Sequence, residues 1–99
     1  MELPHDLFLG FVKLHILYHA GREPVYGLWL IEELGRHGYR LSPGTLYPIL
    51  HGLNQEQLLS VETRVVAGKA RKYYRLTSRG RIALKEGRRK AQQLLEEIE

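Results

Sequence analysis

LSPGTLYPILHGL, residues 41–53, carries two kinds of signal at once. Ser42-Pro43 reads as a helix start. A serine hydroxyl can accept from a free backbone N–H of the first turn, and a proline at the first helical position gives up a donor that has no intrahelical partner there. Leu46, Ile49, Leu50 and Leu53 then fall on one helical face. The other face is unusual: Gly44 lies in the first turn, Pro48 a turn and a half in, and Tyr47 and His51 point away from the apolar stripe. An interior proline costs a regular helix up to about 3 kcal/mol. Gly44 eases the clash, because the carbonyl that Pro48 leaves unpaired belongs to a residue without a side chain. A helix with these features has two surfaces to satisfy, a core on one side and something outside the chain on the other.

Toward the N-terminus, Tyr26, Leu30 and Leu34, with Gly27 and Ile31, form an amphipathic helix. Pro24 is expected at its first helical position, after the turn GREP (21–24), and its end is expected near Arg36-His37-Gly38. Before it, residues 4–20 read as a helix starting at His5 or Asp6 and stopping at Gly21. Leu7, Phe8, Leu9, Phe11, Val12, Leu14, Ile16, Leu17 and Tyr18 cover nearly its whole circumference. A helix apolar all round must be buried on more than one side, which in so small a chain calls for a second chain.

Toward the C-terminus the period changes. Leu59, Val61, Thr63 and Val65 alternate with Ser60, Glu62 and Arg64, the two-residue period of a strand. AGKA (67–70) is the expected turn and RKYYRL (71–76) the returning strand, with Tyr74 and Leu76 on one face and Tyr73 and Arg75 on the other. Thr77-Ser78 caps a last helix in which Leu84, Gly87, Ala91, Leu94 and Ile98 follow heptad-like steps of three and four. Glu96, Glu97 and Glu99 gather at its C-terminal end, where the helix dipole disfavours them, so that end calls for a cationic partner or frays. The expected architecture is mainly α with a small β-hairpin: a winged helix-turn-helix over residues 1–77 and a C-terminal dimerisation helix over 78–99.

The 99 residues suffice for one domain with a modest core, and 43% hydrophobic with 26% charged residues is ordinary globular composition. There is no cysteine, hence no disulfide framework, thiolate nucleophile or cysteine-based zinc site. The first 21 residues lack the basic start and cleavage site of a secretory signal, and their apolar stretch is interrupted by Lys13, His15 and His19. The expectation is a cytoplasmic protein with no membrane partner and no cofactor. Net charge is +4 and unevenly spread: residues 1–50 hold four Lys/Arg and five Asp/Glu, residues 51–99 eleven and six. Within 64–90 the eleven basic residues face a single acid, Glu86, a candidate footprint for a polyanion.

Catalysis is poorly supported. The acidic pair Glu32-Glu33 lies on the outer side of an amphipathic helix, no glycine-rich phosphate loop follows a strand, and no nucleophile motif occurs. His15 and His19 are four apart on one helix, but with no cysteine and no glutamate directly after His15 they read better as core or interface histidines than as metal ligands. A third ligand would have to be His5, His37 or a carboxylate.

SPGTLYPILHGLNQEQLLSVE (42–62), followed by ARKYYRLTSRGRIAL (70–84), resembles the PadR family of bacterial transcriptional repressors, and VYGLWLIEEL (25–34) resembles that family's second helix. Leu28 stands where the family often has tyrosine, Gln57 where glycine is usual after the recognition helix, and AGKA replaces a proline-rich wing tip. The resemblance implies a homodimeric repressor of operator DNA. The third helix would lie in the major groove, the wing along the backbone or minor groove, and the last helix against the partner's first and last helices.

The candidate residues follow. On the recognition helix they are Ser42, Gly44, Thr45, Tyr47 and His51; on the wing, Lys69, Arg71 and Lys72; at the dimer interface, Phe8, Phe11, Leu84, Ala91, Leu94, Leu95 and Ile98. Trp29, Tyr26, Tyr18, Phe8 and Phe11 are further candidates for a pocket at the dimer interface taking a small aromatic effector, although aromatics at helical spacing are more often core. The alternative reading is a winged helix that docks on proteins without specific DNA binding.

Overall fold

The computed structural model describes residues 3–98; Met1, Glu2 and Glu99 lie outside the described residues, and with them the outermost ends of the two expected segments and the third carboxylate of the tail. The elements run α1 (His5–Arg22), α2 (Gly27–Arg36), α3 (Pro43–Gln55), β1 (Leu59–Val66), β2 (Lys69–Leu76) and α4 (Ser78–Ile98). This is the mainly helical winged helix-turn-helix expected, with a two-stranded antiparallel hairpin as the wing.

α3 starts as its sequence dictates. Ser42 is the N-cap, its hydroxyl accepting from Thr45 N–H at 3.3 Å, and Pro43 takes the first helical position. Leu46, Ile49, Leu50 and Leu53 are buried and join Val12, Ile16, Leu17 and Ala20 of α1 and Leu30 and Leu34 of α2 in one core. Gln57 ends the helix in the left-handed region, φ +63°. Leu58 N–H donates to the Leu53 carbonyl and Gln57 N–H to the Asn54 carbonyl, the paired bonds of a Schellman cap. The turn therefore keeps the geometry that glycine usually serves, without the glycine.

Two boundaries differ from expectation. α1 continues through Gly21 to Arg22, because the bare Gly21 backbone lets the Leu76 side chain pack directly against it. Pro24 does not start α2. The segment after it is extended, and Val25 exchanges backbone hydrogen bonds with Tyr74 at 3.0 and 2.7 Å, a one-residue third strand on the edge of β2. Pairing that edge satisfies donors on both sides, which outweighs the helix-start signal of a proline. α2 begins at Gly27, where an added side chain would run into the Tyr47 ring.

The hairpin register runs from Leu59 opposite Leu76 to Val66 opposite Lys69. The turn is thus two residues, Ala67-Gly68, not the four of AGKA, and both have positive φ (53° and 78°), as a tight hairpin matching the strand twist requires. Only its foot enters the core. Leu59 and Tyr74 are buried, whereas Val61 and Val65, which share the face of Leu59, are 42% and 76% exposed. The alternation marks a strand correctly but not how far the hairpin projects past the core.

Thr77 caps α4: its hydroxyl accepts from Gly80 N–H (2.9 Å) and donates to the Gln57 carbonyl (2.6 Å), locking the helix start to the end of α3. Gly80 is buried, and any side chain there would overlap the Leu58 carbonyl. Gly87 gives Leu14 of α1 the same kind of access. Beyond Gly87 every described residue of α4 is exposed. Among the described residues no helix is long and apolar enough to cross a membrane.

Candidate nucleic-acid interface

The exposed face of α3 follows from its packed one. With Leu46, Ile49, Leu50 and Leu53 turned inward, Ser42, Pro43, Gly44, Tyr47, Pro48 and His51 are exposed, and Thr45 is half-buried with its hydroxyl accepting from Ser42 Oγ at 3.3 Å. A side chain added at Gly44 would meet nothing of this chain closer than Ser42 Oγ, at 3.7 Å. Packing within the chain gives no reason for that glycine, so the room it leaves faces outward. Free N–H groups and the positive end of the helix dipole lie at the same turn, an arrangement that attracts phosphate. Tyr47 is less free than its sequence position suggests. It is 46% exposed, yet its hydroxyl end lies over Gly27, so it serves packing between α2 and α3 as well.

The wing residues divide by strand parity. Lys69 and Arg71 lie on one face of the hairpin, with Arg64 and Arg75; Lys72 lies on the opposite face, across from Thr63. Lys69 and Lys72 are exposed. Arg71 is half-buried, its guanidinium 4.1 Å from the centre of the Tyr26 ring. Tyr26 in turn meets Tyr73 edge-on at 5.4 Å, and Arg64 lies 4.6 Å above Tyr73 while pairing with Glu62 at 2.6 Å. That bond holds the Glu62 carboxyl below the usual carboxylate range. Arg64, Tyr73, Tyr26 and Arg71 therefore form a cation–aromatic ladder that ties the wing to the start of α2. The sequence contained its members, but only the Val25–Tyr74 pairing brings Tyr26 under the hairpin.

The expected dimer residues are also split. Phe11 of α1 and Ala91, Leu94, Leu95 and Ile98 of α4 are exposed, together with Leu7 and Tyr18, which continue the open side of α1. Phe8 is turned instead to Tyr39 within the chain, at 5.6 Å between ring centres, and Leu84 packs against the core. The five aromatics considered for an effector pocket at a dimer interface have separate surroundings within one chain, Phe11 being exposed. Phe8 meets Tyr39, Tyr26 meets Tyr73, Trp29 meets His19, and Tyr18 lines a groove between α1 and α4 with Leu14, Leu84 and Ala91.

Fold and surface together define a winged helix-turn-helix protein with a basic wing. The chain belongs to the transcriptional regulator PadR-like family, whose profile matches residues 16–86. It is similar to the transcriptional regulator Rv3488 of Mycobacterium tuberculosis, 56% identical over 87 residues that cover 88% of this chain and 81% of that protein. It is also similar to solved structures of a PadR family transcriptional regulator from Eggerthella lenta (33% identity, TM-score 0.84, covering 94% of this chain and 82% of that one) and a PadR-like transcriptional regulator from Bacillus cereus (29% identity, TM-score 0.84, 94% and 92%). The protein is accordingly a transcriptional regulator and not an enzyme.

Proposed function

We propose that this regulator is a cytoplasmic, homodimeric repressor that binds an inverted-repeat operator. In this reading Ser42, Gly44, Thr45, Tyr47 and His51 meet DNA in the major groove, while Lys69, Arg71 and Lys72 neutralise phosphates from the wing. The observation that carries it is the outward room at Gly44, at the start of an α3 whose opposite face is fully committed to the core. Dimerisation is supported by the open seam of α4 and the exposed Leu7, Phe11 and Tyr18 of α1. α4 carries its basic residues between Arg79 and Lys90, with Glu86 the one acid among them, and two further acids at Glu96 and Glu97, so an antiparallel partner helix would set opposite charges side by side. Residues 78–99 are then the dimerisation helix and the remainder the DNA-binding domain.

Two recognition helices in one dimer reach successive major grooves, about 34–36 Å apart. Hydroxyl-radical footprinting upstream of the protein's own coding sequence tests this. Two protected segments with dyad symmetry at that spacing are expected, and protection without a dyad contradicts the dimer. In vitro transcription from the same promoter should fall as protein is added; a rise would make the protein an activator.

A further inference from the structure

Three side chains that take no part in α3 or the wing converge between α1 and the end of α2. His19 comes from α1, Glu33 from α2, and His37 is the first residue after α2. His37 Nε2 lies 3.0 Å and His19 Nε2 4.0 Å from the same oxygen, Glu33 Oε2, and the three donor atoms lie within 4.8 Å of one another. The second carboxylate oxygen, Oε1, is taken by Arg36 at 2.6 Å, which fixes the direction Oε2 faces. The His19 ring is held edge-on by Trp29 at 5.3 Å and Tyr18 at 5.0 Å. Its Nε2 is buried and has no hydrogen-bond partner. Such an atom costs about 1–3 kcal/mol when left unsatisfied, and native structures rarely leave one without a reason.

The unpartnered, buried nitrogen of His19 thus faces a carboxylate and a second imidazole, the arrangement of donor atoms that a metal ion takes.

We propose that His19 Nε2, Glu33 Oε2 and His37 Nε2 form a site for a divalent transition-metal ion of the zinc class. Bonds of the usual zinc length set ligand atoms about 3.3 Å apart around a tetrahedron, so His37 and Glu33 already stand near ligand spacing, while His19 has to close by roughly 0.7 Å on Glu33 and by up to about 1.5 Å on His37. The donor set selects the ion: two imidazoles suit zinc, cobalt or nickel, one carboxylate is too few for calcium or magnesium, and no thiolate is present for softer metals. A cleft of about 250 Å³ lined by His19, Arg22, Glu23, Trp29 and Glu33 opens beside the site and leaves a fourth position to water. Arg22, the nearest opposing cation on α1, is turned to the Tyr18 hydroxyl at 2.7 Å. The pair suggested by sequence spacing is replaced: His15 stacks on His37 at 5.6 Å between ring centres and is not among the three ligands. An ion here would pin α1 to the end of α2 and to the turn that leads into Ser42.

The test is zinc titration by calorimetry on the full chain stripped with a chelator, with thermal melts in parallel. One ion per chain is expected, with a melting temperature that rises with zinc concentration, because the folded state alone presents the site. His37→Gln and Glu33→Gln change partly exposed side chains and should each weaken binding by at least roughly tenfold, the loss that even outer-shell partners of a metal cause. His5→Gln, fourteen residues and about 21 Å along the helix from His19, should leave affinity unchanged. Absence of stoichiometric binding overturns the site, and so does affinity that survives both ligand substitutions or falls only in His5→Gln.

Discussion

Gln57 holds a backbone conformation that a side chain opposes. A left-handed φ costs a non-glycine residue about 1–2 kcal/mol, and glycine would return part of it as extra freedom in the unfolded chain, about 0.5–1 kcal/mol. The bonds that fix the turn are all backbone or Thr77 bonds, so none is lost in Gln57→Gly. That variant should gain about 0.5–1 kcal/mol and melt a few degrees higher; an unchanged or lower midpoint contradicts the account of the turn. The departure at this position was plain in the sequence, but its consequence was not, because Thr77, twenty residues on, holds the turn in place. Tyr47 teaches the same lesson. Its outward register was legible, whereas its packing on Gly27 depends on how α2 and α3 cross. Tyr47→Ala therefore disturbs packing along with any DNA contact. His51 is the cleaner probe, since it is exposed and its side chain makes no hydrogen bond among the described residues. His51→Ala should cost about 1–2 kcal/mol of operator binding with no change in melting temperature. Unchanged operator affinity removes His51 from the interface.

At the scale of elements, the sequence signals that match the fold are local. A cap and an N1 proline place the start of α3, a change of period places β1, and Thr77 places α4. The signals that misled are those in which a distant partner overrode a local preference, as Tyr74 does at Val25 and Leu76 at Gly21. The wing shows what this means for function. Lys69 and Lys72 are free to meet phosphates, while Arg71 also holds the hairpin against Tyr26. Lys69→Ala and Lys72→Ala should each weaken binding to all DNA sequences alike and lower the salt slope by about one, measured by anisotropy at several ionic strengths. A loss confined to the operator sequence contradicts phosphate contact.

At the scale of the molecule, α4 explains why so small a chain carries so much uncovered apolar surface. Its first turns are locked by Gly80 against Leu58 and Gly87 against Leu14, and its later turns extend as an exposed seam. The heptad spacing made the seam legible in sequence, but the separate fate of Phe8 and Phe11 was not, because a helix apolar all round does not say which side the core takes. Leu94→Glu should convert a dimer to a monomer by sedimentation while leaving the core intact; a variant that remains dimeric contradicts the seam. The central claim is that the outward face of α3 reads DNA sequence. Fluorescence anisotropy tests it most directly, comparing a duplex from upstream of the protein's own coding sequence with a scrambled duplex of the same composition across a range of salt. Tight binding that prefers the upstream duplex and weakens steeply with salt is the predicted result. Failure to bind either duplex even at low salt would contradict it and make this winged helix a protein-docking module instead.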